Sequence, residues 1–132
     1  AGPQAVSRIH LLGYKSGEDL QREVGNARFT VLSSEWRENM PYSGLESLAA
    51  QTPIIGARIG GIPELVEEGK TGVTFESGNA VDLSNSMLKC AAVSALNYSA
   101  MQHSCREYVN ARCLQNEYAL ALVDLYERVI QR

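Results

Sequence analysis

Short, continuous apolar runs alternate along the chain with segments whose apolar residues recur at helical spacing. Four of these runs are rich in the β-branched, aliphatic and aromatic residues that favour strands: residues 8–14, 28–34, 53–58 and 71–75. Strands that are apolar on both faces are typical of parallel sheets covered by helices. The pattern therefore predicts an α/β fold, a parallel sheet of about four strands flanked by helices.

Helices are predicted between these strands and along the C-terminal part of the chain. They cover residues 16–27, with Ser16 as the N-cap, then 43–51, 60–69, a segment from 80 onward, roughly 95–112, and a last helix. The segment that starts near residue 80 has an apolar face made of Val81, Met87, Leu88 and Ala91. The last helix has a stripe made of Leu114, Tyr118, Ala121, Leu122, Leu125 and Val129. Because ligands bind at the carboxyl ends of parallel strands, beside helix N-termini, we expect a ligand at the loop 34–46.

That loop contains two glutamates, Glu38 and Glu46, around the start of a predicted helix, and two interpretations are open. In the first, Ser43 and Glu46 form a capping box and stabilise the helix without any chemistry. In the second, the helix N-terminus binds a phosphate, while the ionised carboxylates accept hydrogen bonds from sugar hydroxyls on either side. A nucleotide sugar has this order of groups, with a diphosphate between the ribose and the transferred sugar.

Composition narrows the class of protein. A chain of 132 residues with a net charge of −3 has the size of one domain and shows no basic face for nucleic acid. No apolar run approaches the roughly 18 residues that a membrane helix needs, and no signal peptide is visible. The first residues, "AGPQAV", are unlike a natural start, so we expect the chain to be a piece of a longer protein.

The three cysteines, Cys90, Cys105 and Cys113, form no CxxC pair. They fall on predicted helices, where a free cysteine behaves as a small hydrophobic residue. With only His10 and His103 to assist them, they do not predict a zinc site. We therefore expect a reducing, cytoplasmic compartment and no bound metal.

Two glycine-containing motifs fail as phosphate-binding loops. The tripeptide "GKT" at 69–71 has Glu64 where a P-loop needs its first glycine, and "GARIGG" at 56–61 has the wrong spacing for a dinucleotide fingerprint. No GxSxG sequence is present, and no serine or cysteine has an evident histidine partner. These patterns therefore predict no P-loop, dinucleotide site or hydrolase triad.

The stretch "SSEWRENMPYSGLESLAAQTPIIGARIGGIPELVEEGKTGVTF", residues 33–75, resembles the signature region of family 4 retaining glycosyltransferases. Their E-x7-E motif falls on Glu38 and Glu46, and "IHLLGY" resembles the strand that precedes it. The resemblance implies the GT-B fold, of which this chain would be part of the Rossmann-like C-terminal, donor-binding domain. It further implies transfer of a sugar from a nucleotide sugar with retention of configuration and without a metal.

The resemblance also implies roles for individual residues. Glu46 would bind the ribose hydroxyls, and Glu38 would contact the donor sugar near its reacting face and serve as the catalytic residue. The diphosphate would lie against the amides of Tyr42 and Ser43. The loop that contains Tyr14 and Lys15 would lie near the base.

Three departures from the family pattern matter. The family commonly has "G-F-G" after its first glutamate, whereas this chain has Asn39, Met40 and Pro41. Since Pro41 has no N–H, phosphate contact is expected to shift to Met40, Tyr42 and Ser43. The family's Arg and Lys that neutralise the diphosphate are expected upstream of this whole chain. Two strands that precede "IHLLGY" in the family are also missing. We therefore expect the fragment either to move its first strand beside residues 29–33 or to pair its exposed sheet edges with another chain.

The sequence therefore predicts an incomplete donor-binding domain, inactive when isolated, from an enzyme that also has an N-terminal domain. The expected partners are a UDP- or GDP-linked sugar and a glycan or lipid-linked acceptor. Peripheral membrane association, a role in polysaccharide biosynthesis and an oligomer formed through the exposed sheet edge are further expectations. Two alternatives are open: a sugar phosphorylase or sucrose-phosphate-synthase-like enzyme of the same fold, and a non-catalytic nucleotide-binding or interaction module.

Overall fold

The computed structural model describes residues 8–112 and 115–130 of the chain. Its centre is a three-stranded parallel sheet in the order β1 (Thr30–Leu32), β2 (Ile54–Ala57) and β3 (Gly72–Phe75). Every residue of the middle strand β2 is buried, which explains its continuous apolar sequence. The predicted parallel α/β architecture is confirmed, and these strands lie in three of the four predicted runs.

Within residues 8–112 and 115–130, five α-helices surround the sheet or follow it. They are α1 (Gly17–Asn26), α2 (Tyr42–Ala49), α3 (Ala80–Ala91), α4 (Ala95–Arg112) and α5 (Gln115–Ile130). None of the helices in the part of the chain that is described has the length and apolar character needed to cross a bilayer.

The core lies on both faces of the sheet, because successive residues of a strand point to opposite sides. Ile54 packs with Leu48 of α2 and Cys105 of α4 on one face, whereas Ile55 packs with Phe75 and with Cys90 of α3 on the other. Both cysteines are free thiols inside these helices, as predicted, while Cys113 lies outside the described residues. Burial raises the pKa of the Cys105 thiol to about 12.

The strand predicted at residues 8–14 does not form. This segment is irregular, and its apolar side chains are largely in solvent, with Leu11 95 % and Tyr14 93 % exposed. It does not lie beside β1 either, since the sheet consists of β1, β2 and β3. The prediction was wrong because an apolar run becomes a strand only where a neighbouring strand can pair with its backbone groups. Pairing with another chain stays a prediction.

The helix predicted at residues 60–69 is instead a short 3₁₀ turn, Ile62–Leu65. The hydroxyl of Thr71 donates to the carbonyl of Leu65 at 3.1 Å and accepts from the amide of Glu67 at 2.7 Å. These side-chain bonds use backbone groups that a longer helix would need for itself. The chain therefore turns early into β3.

Two predicted apolar faces are not buried. On α3, Val81 and Leu88 are 71 % and 67 % exposed, and the face against the sheet instead contains Ser86 and Cys90. On α5, the described members of the stripe are mostly in solvent, as with Tyr118 at 72 % and Val129 at 61 % exposed. Leu114, the first member of that stripe, lies outside the described residues. The spacing of apolar residues along a helix does not by itself show which face of that helix packs against the sheet.

Candidate functional site

The loops that leave the carboxyl ends of the three strands are tied together by hydrogen bonds. The amide of Gly61, after β2, donates to the carbonyl of Glu38, after β1, at 2.7 Å. The hydroxyl of Ser77, after β3, donates to the carbonyl of Ser34 at 3.0 Å. The loop 33–41 is therefore held from two neighbouring loops, at the edge of the sheet where a ligand was expected.

Glu38 is half-buried in this loop, and its carboxylate has a direct partner. The hydroxyl of Ser34 donates to Glu38 Oε1 at 2.5 Å. Because the Glu38 carbonyl also accepts a bond from Gly61, both the backbone and the side chain of Glu38 are restrained.

Gly60 and Gly61 allow the backbone to approach Glu38 closely. Gly60 has a φ of +56°, and a Cβ built there would lie 2.3 Å from the Glu38 carbonyl oxygen. A Cβ on Gly61 would lie 1.5 Å from the carbonyl oxygen of Asn39. This role was not predicted, because both glycines fell in a predicted helix, although adjacent glycines shortly after a strand can signal a close backbone approach.

The next part of the site is the N-terminus of α2. The N-cap residue is Pro41, whose carbonyl accepts from the amides of Gly44 at 3.0 Å and Leu45 at 3.4 Å. Within the described residues, the amides of Tyr42 and Ser43 have no hydrogen-bond acceptor. These N–H groups and the positive end of the helix dipole are suited to an anion.

The capping box predicted for Ser43 and Glu46 is absent, which removes the purely structural explanation of that glutamate. The helix begins at Tyr42, so Ser43 is already its second residue and Glu46 its fifth, and no side chain caps this end. A capping box needs its serine at the N-cap and its glutamate three positions later.

Glu46 lies on the exposed face of α2, one turn after Tyr42 and Ser43. Its side chain borders a surface groove of about 440 Å³ between α1 and α2. The other residues that line this groove are Gln21, Gly25, Ala49 and Ala50. The structure therefore brings Glu46 against α1, which follows the segment that contains Tyr14 and Lys15.

The opposite face of α2 is anchored in the core. Ser47 is fully buried, its hydroxyl donates to the carbonyl of Thr52 at 2.7 Å, and it lies 2.7 Å from the hydroxyl of Thr30 in β1. Gly44 is also buried, and a Cβ there would lie 2.5 Å from Leu65 Cδ1. These contacts fix where α2 begins relative to the end of β1.

The remaining predicted site residues are divided between the start of α2 and the segment before α1. Met40 is 47 % exposed and Tyr42 is 82 % exposed, while Tyr14 and Lys15 lie in the irregular segment before α1 and do not line the groove at Glu46. The predicted contacts of all four residues with phosphate or base stay predictions.

One nearby cation is already paired. The guanidinium of Arg58, directly after β2, lies 3.3 Å from the carboxylate of Asp82 in α3 and 3.2 Å from the hydroxyl of Thr74. Arg58 is thus held toward α3, on the β3 side of the site.

Comparison with known proteins identifies the family. The sequence profile named "Glycosyl transferases group 1" matches residues 5–111. An uncharacterized glycosyltransferase of Methanocaldococcus jannaschii is 32 % identical over 84 residues, which are 64 % of this chain and 24 % of that protein.

Solved structures share the fold. Sucrose-phosphate synthase from Thermosynechococcus elongatus superposes with a TM-score of 0.81 at 24 % identity, covering 95 % of this chain and 31 % of that chain. HepE of Anabaena in complex with UDP superposes with a TM-score of 0.79 at 19 % identity, covering 92 % of this chain and 34 % of that chain. These structures have the GT-B glycosyltransferase fold.

The chain therefore spans about a quarter to a third of the length of the proteins described above. The profile match covers most of the chain, including all three strands and helices α1 to α3. The chain belongs to the glycosyl transferases group 1 family.

Proposed function

We propose that the protein that contains this chain transfers a sugar from a nucleotide sugar to a glycan or lipid-linked acceptor with retention of configuration, as in family 4. This chain supplies part of the donor site. The observation that carries the proposal is the uncapped N-terminus of α2, flanked by two carboxylates of which neither caps the helix.

The charges in the site favour this ligand. Two carboxylates would repel a phosphate in direct contact, whereas the free amides of Tyr42 and Ser43 attract one. A diphosphate at the helix end would leave a glutamate on either side for hydroxyl-bearing groups, because a carboxylate only accepts hydrogen bonds.

We assign Glu46 to the ribose, because it lies one turn from the free amides on the same face of α2. The groove beside it, between α1 and α2, has room for a nucleoside. Tyr14 and Lys15 precede α1 and belong to the base side of this arrangement. Met40, Tyr42 and Ser43 hold the diphosphate through their amides.

We assign Glu38 to the transferred sugar, which makes it the catalytic residue of this chain. It precedes the helix end, and it is restrained by Ser34 and Gly61. A carboxylate held at fixed position can accept a hydrogen bond from the sugar and stabilise positive charge that develops at the reacting carbon.

The donor is UDP- or GDP-linked, and UDP-glucose is the first to test because HepE of Anabaena is described with UDP-glucose and with UDP. The proposal includes a hexosyl donor, no requirement for a metal, a role in polysaccharide biosynthesis, and a cytoplasmic enzyme that associates peripherally with membranes. It also includes an N-terminal domain that completes the site, so the isolated chain should not turn over donor.

The test uses the full-length protein that contains this chain, with UDP-glucose and GDP-mannose as donors. We expect release of one nucleoside diphosphate and, by proton NMR, a product with the anomeric configuration of the donor. An inverted product would contradict the retaining assignment. If the protein binds nucleotide but does not turn over donor, and Glu38→Gln binds nucleotide with the same affinity, the non-catalytic nucleotide-binding module would be favoured instead.

A further inference from the structure

We propose that Ser34 is a positioning residue for Glu38, and that Ser77 holds Ser34 in place. This inference rests on the proposed function, in which Glu38 contacts the transferred sugar, and it adds how that carboxylate is oriented.

The hydroxyl of Ser34 fixes one oxygen of the Glu38 carboxylate. A glutamate has three rotatable side-chain bonds and would otherwise occupy many rotamers. The 2.5 Å bond from Ser34 Oγ to Glu38 Oε1 selects one of them. Because the acceptor is a carboxylate, this bond belongs to the stronger class of hydrogen bonds.

The second carboxylate oxygen is left for a ligand. Within the described residues, no hydrogen-bond donor reaches Glu38 Oε2. An oxygen of an ionised carboxylate accepts and never donates, so the free oxygen can receive a hydroxyl of the sugar. The serine therefore determines where the free oxygen lies.

Ser34 is itself held by a loop that is distant in the sequence. Ser77 follows β3, and its hydroxyl donates to the Ser34 carbonyl at 3.0 Å. Ser34 and Ser77 are both half-buried, whereas the neighbouring Ser33 is exposed. Ser33 makes no side-chain hydrogen bond within residues 8–112, so it offers a matched control in the same loop.

The Ser34 hydroxyl should affect the chemical step and not nucleotide binding. The ribose and diphosphate are assigned to Glu46 and the start of α2, which the Ser34 hydroxyl does not contact. Loss of that hydroxyl should therefore lower kcat and leave the KM for donor almost unchanged, because a misplaced catalytic group costs rate rather than ground-state binding.

The experiment compares Ser34→Ala, Ser34→Thr, Ser77→Ala and Ser33→Ala in the full-length protein, with donor turnover and thermal unfolding as readouts. We expect Ser34→Ala to lower kcat about 10- to 100-fold, with donor KM within about 2-fold of wild type. Ser34→Thr keeps a hydroxyl and should restore most of kcat. Ser77→Ala should lower kcat about 3-fold, and Ser33→Ala should leave it unchanged.

Two results would overturn the positioning role: wild-type kcat in Ser34→Ala, or a Ser34→Thr variant no better than Ser34→Ala. Glu38→Gln in the same series shows which proposal has failed. If Glu38→Gln abolishes turnover while Ser34→Ala does not, only the positioning role is wrong. If Glu38→Gln keeps wild-type kcat, the role of Glu38 in the proposed function is wrong as well.

Discussion

Glu38 lies in a loop and is restrained at its backbone and its side chain, whereas Glu46 projects from a regular helix with an exposed side chain. Gly61 bonds the Glu38 carbonyl and Ser34 bonds its carboxylate. Glu46 makes no side-chain hydrogen bond within the described residues, although the far side of its helix is anchored by Ser47. The loop glutamate is thus held more firmly than the helical one.

This difference agrees with the two proposed roles. A group that acts near a reacting bond loses rate when it is displaced by a fraction of an ångström, so it benefits from direct restraint. A group that binds ribose hydroxyls can be ordered by the ligand itself, provided that its helix is well placed. The comparison therefore predicts different effects for substitutions around each glutamate.

The largest effect is expected from Gly61→Ala. The new Cβ would lie 1.5 Å from the Asn39 carbonyl oxygen. The backbone at residue 61 or at residue 39 must therefore move, and the hydrogen bond from the Gly61 amide to the Glu38 carbonyl is lost. We expect the free energy of unfolding to fall by about 3 kcal/mol, measured by urea unfolding of this chain followed by circular dichroism.

Gly25→Ala is the matched control for that measurement. Gly25 lies in α1, and a Cβ there meets no atom within 4 Å. Alanine is the better helix former, so this variant should be neutral or up to about 1 kcal/mol more stable. Equal stability of the two variants would contradict the close approach at Gly61.

An intermediate effect is expected from Ser47→Ala, which tests the anchor of α2. The substitution leaves the buried Thr52 carbonyl without its hydroxyl donor. We expect a loss of about 1–2 kcal/mol in the free energy of unfolding, from urea titrations. Ser43→Ala, at an exposed position of the same helix, should change stability by less than about 0.5 kcal/mol.

The smallest effect on stability is expected from Glu46→Ala. Because Glu46 is exposed and does not cap α2, the free energy of unfolding should change by less than about 0.5 kcal/mol. A capping box would instead cost about 1 kcal/mol. Thermal unfolding of this variant beside wild type distinguishes the two values. A loss of about 1 kcal/mol in the free energy of unfolding would restore the capping interpretation.

The sequence predicted those parts of the fold that depend on local pattern. The run 53–58 became the buried strand β2, and the range predicted as roughly 95–112 became α4. Residues 8–14 have an equally apolar pattern, but their structure depends on a neighbouring strand, which the pattern does not contain. The helix predicted at 60–69 failed for a similar reason, because Thr71 satisfies the backbone groups of Leu65 and Glu67.

The residues of the candidate site also fall into a group that the sequence predicted and a group that it did not. Glu38 and Glu46 were predicted as site residues from their spacing around a helix start and from the family resemblance. Gly61 and Ser77 were missed because their bonds to the loop join residues that are 23 and 43 positions apart in the chain. Ser34 was missed because a serine in a loop has no distinctive pattern of its own.

The most direct test of the two roles is calorimetric titration of the full-length protein with a nucleoside diphosphate and with its sugar form. We expect Glu46→Gln to weaken both ligands by the same factor, about 10- to 100-fold. Glu38→Gln should bind the nucleoside diphosphate with wild-type affinity. It should bind the sugar form no more tightly than the nucleoside diphosphate, because the contact with the sugar is lost. Wild-type affinity in Glu46→Gln, or equal loss of nucleoside diphosphate affinity in both variants, would contradict the account.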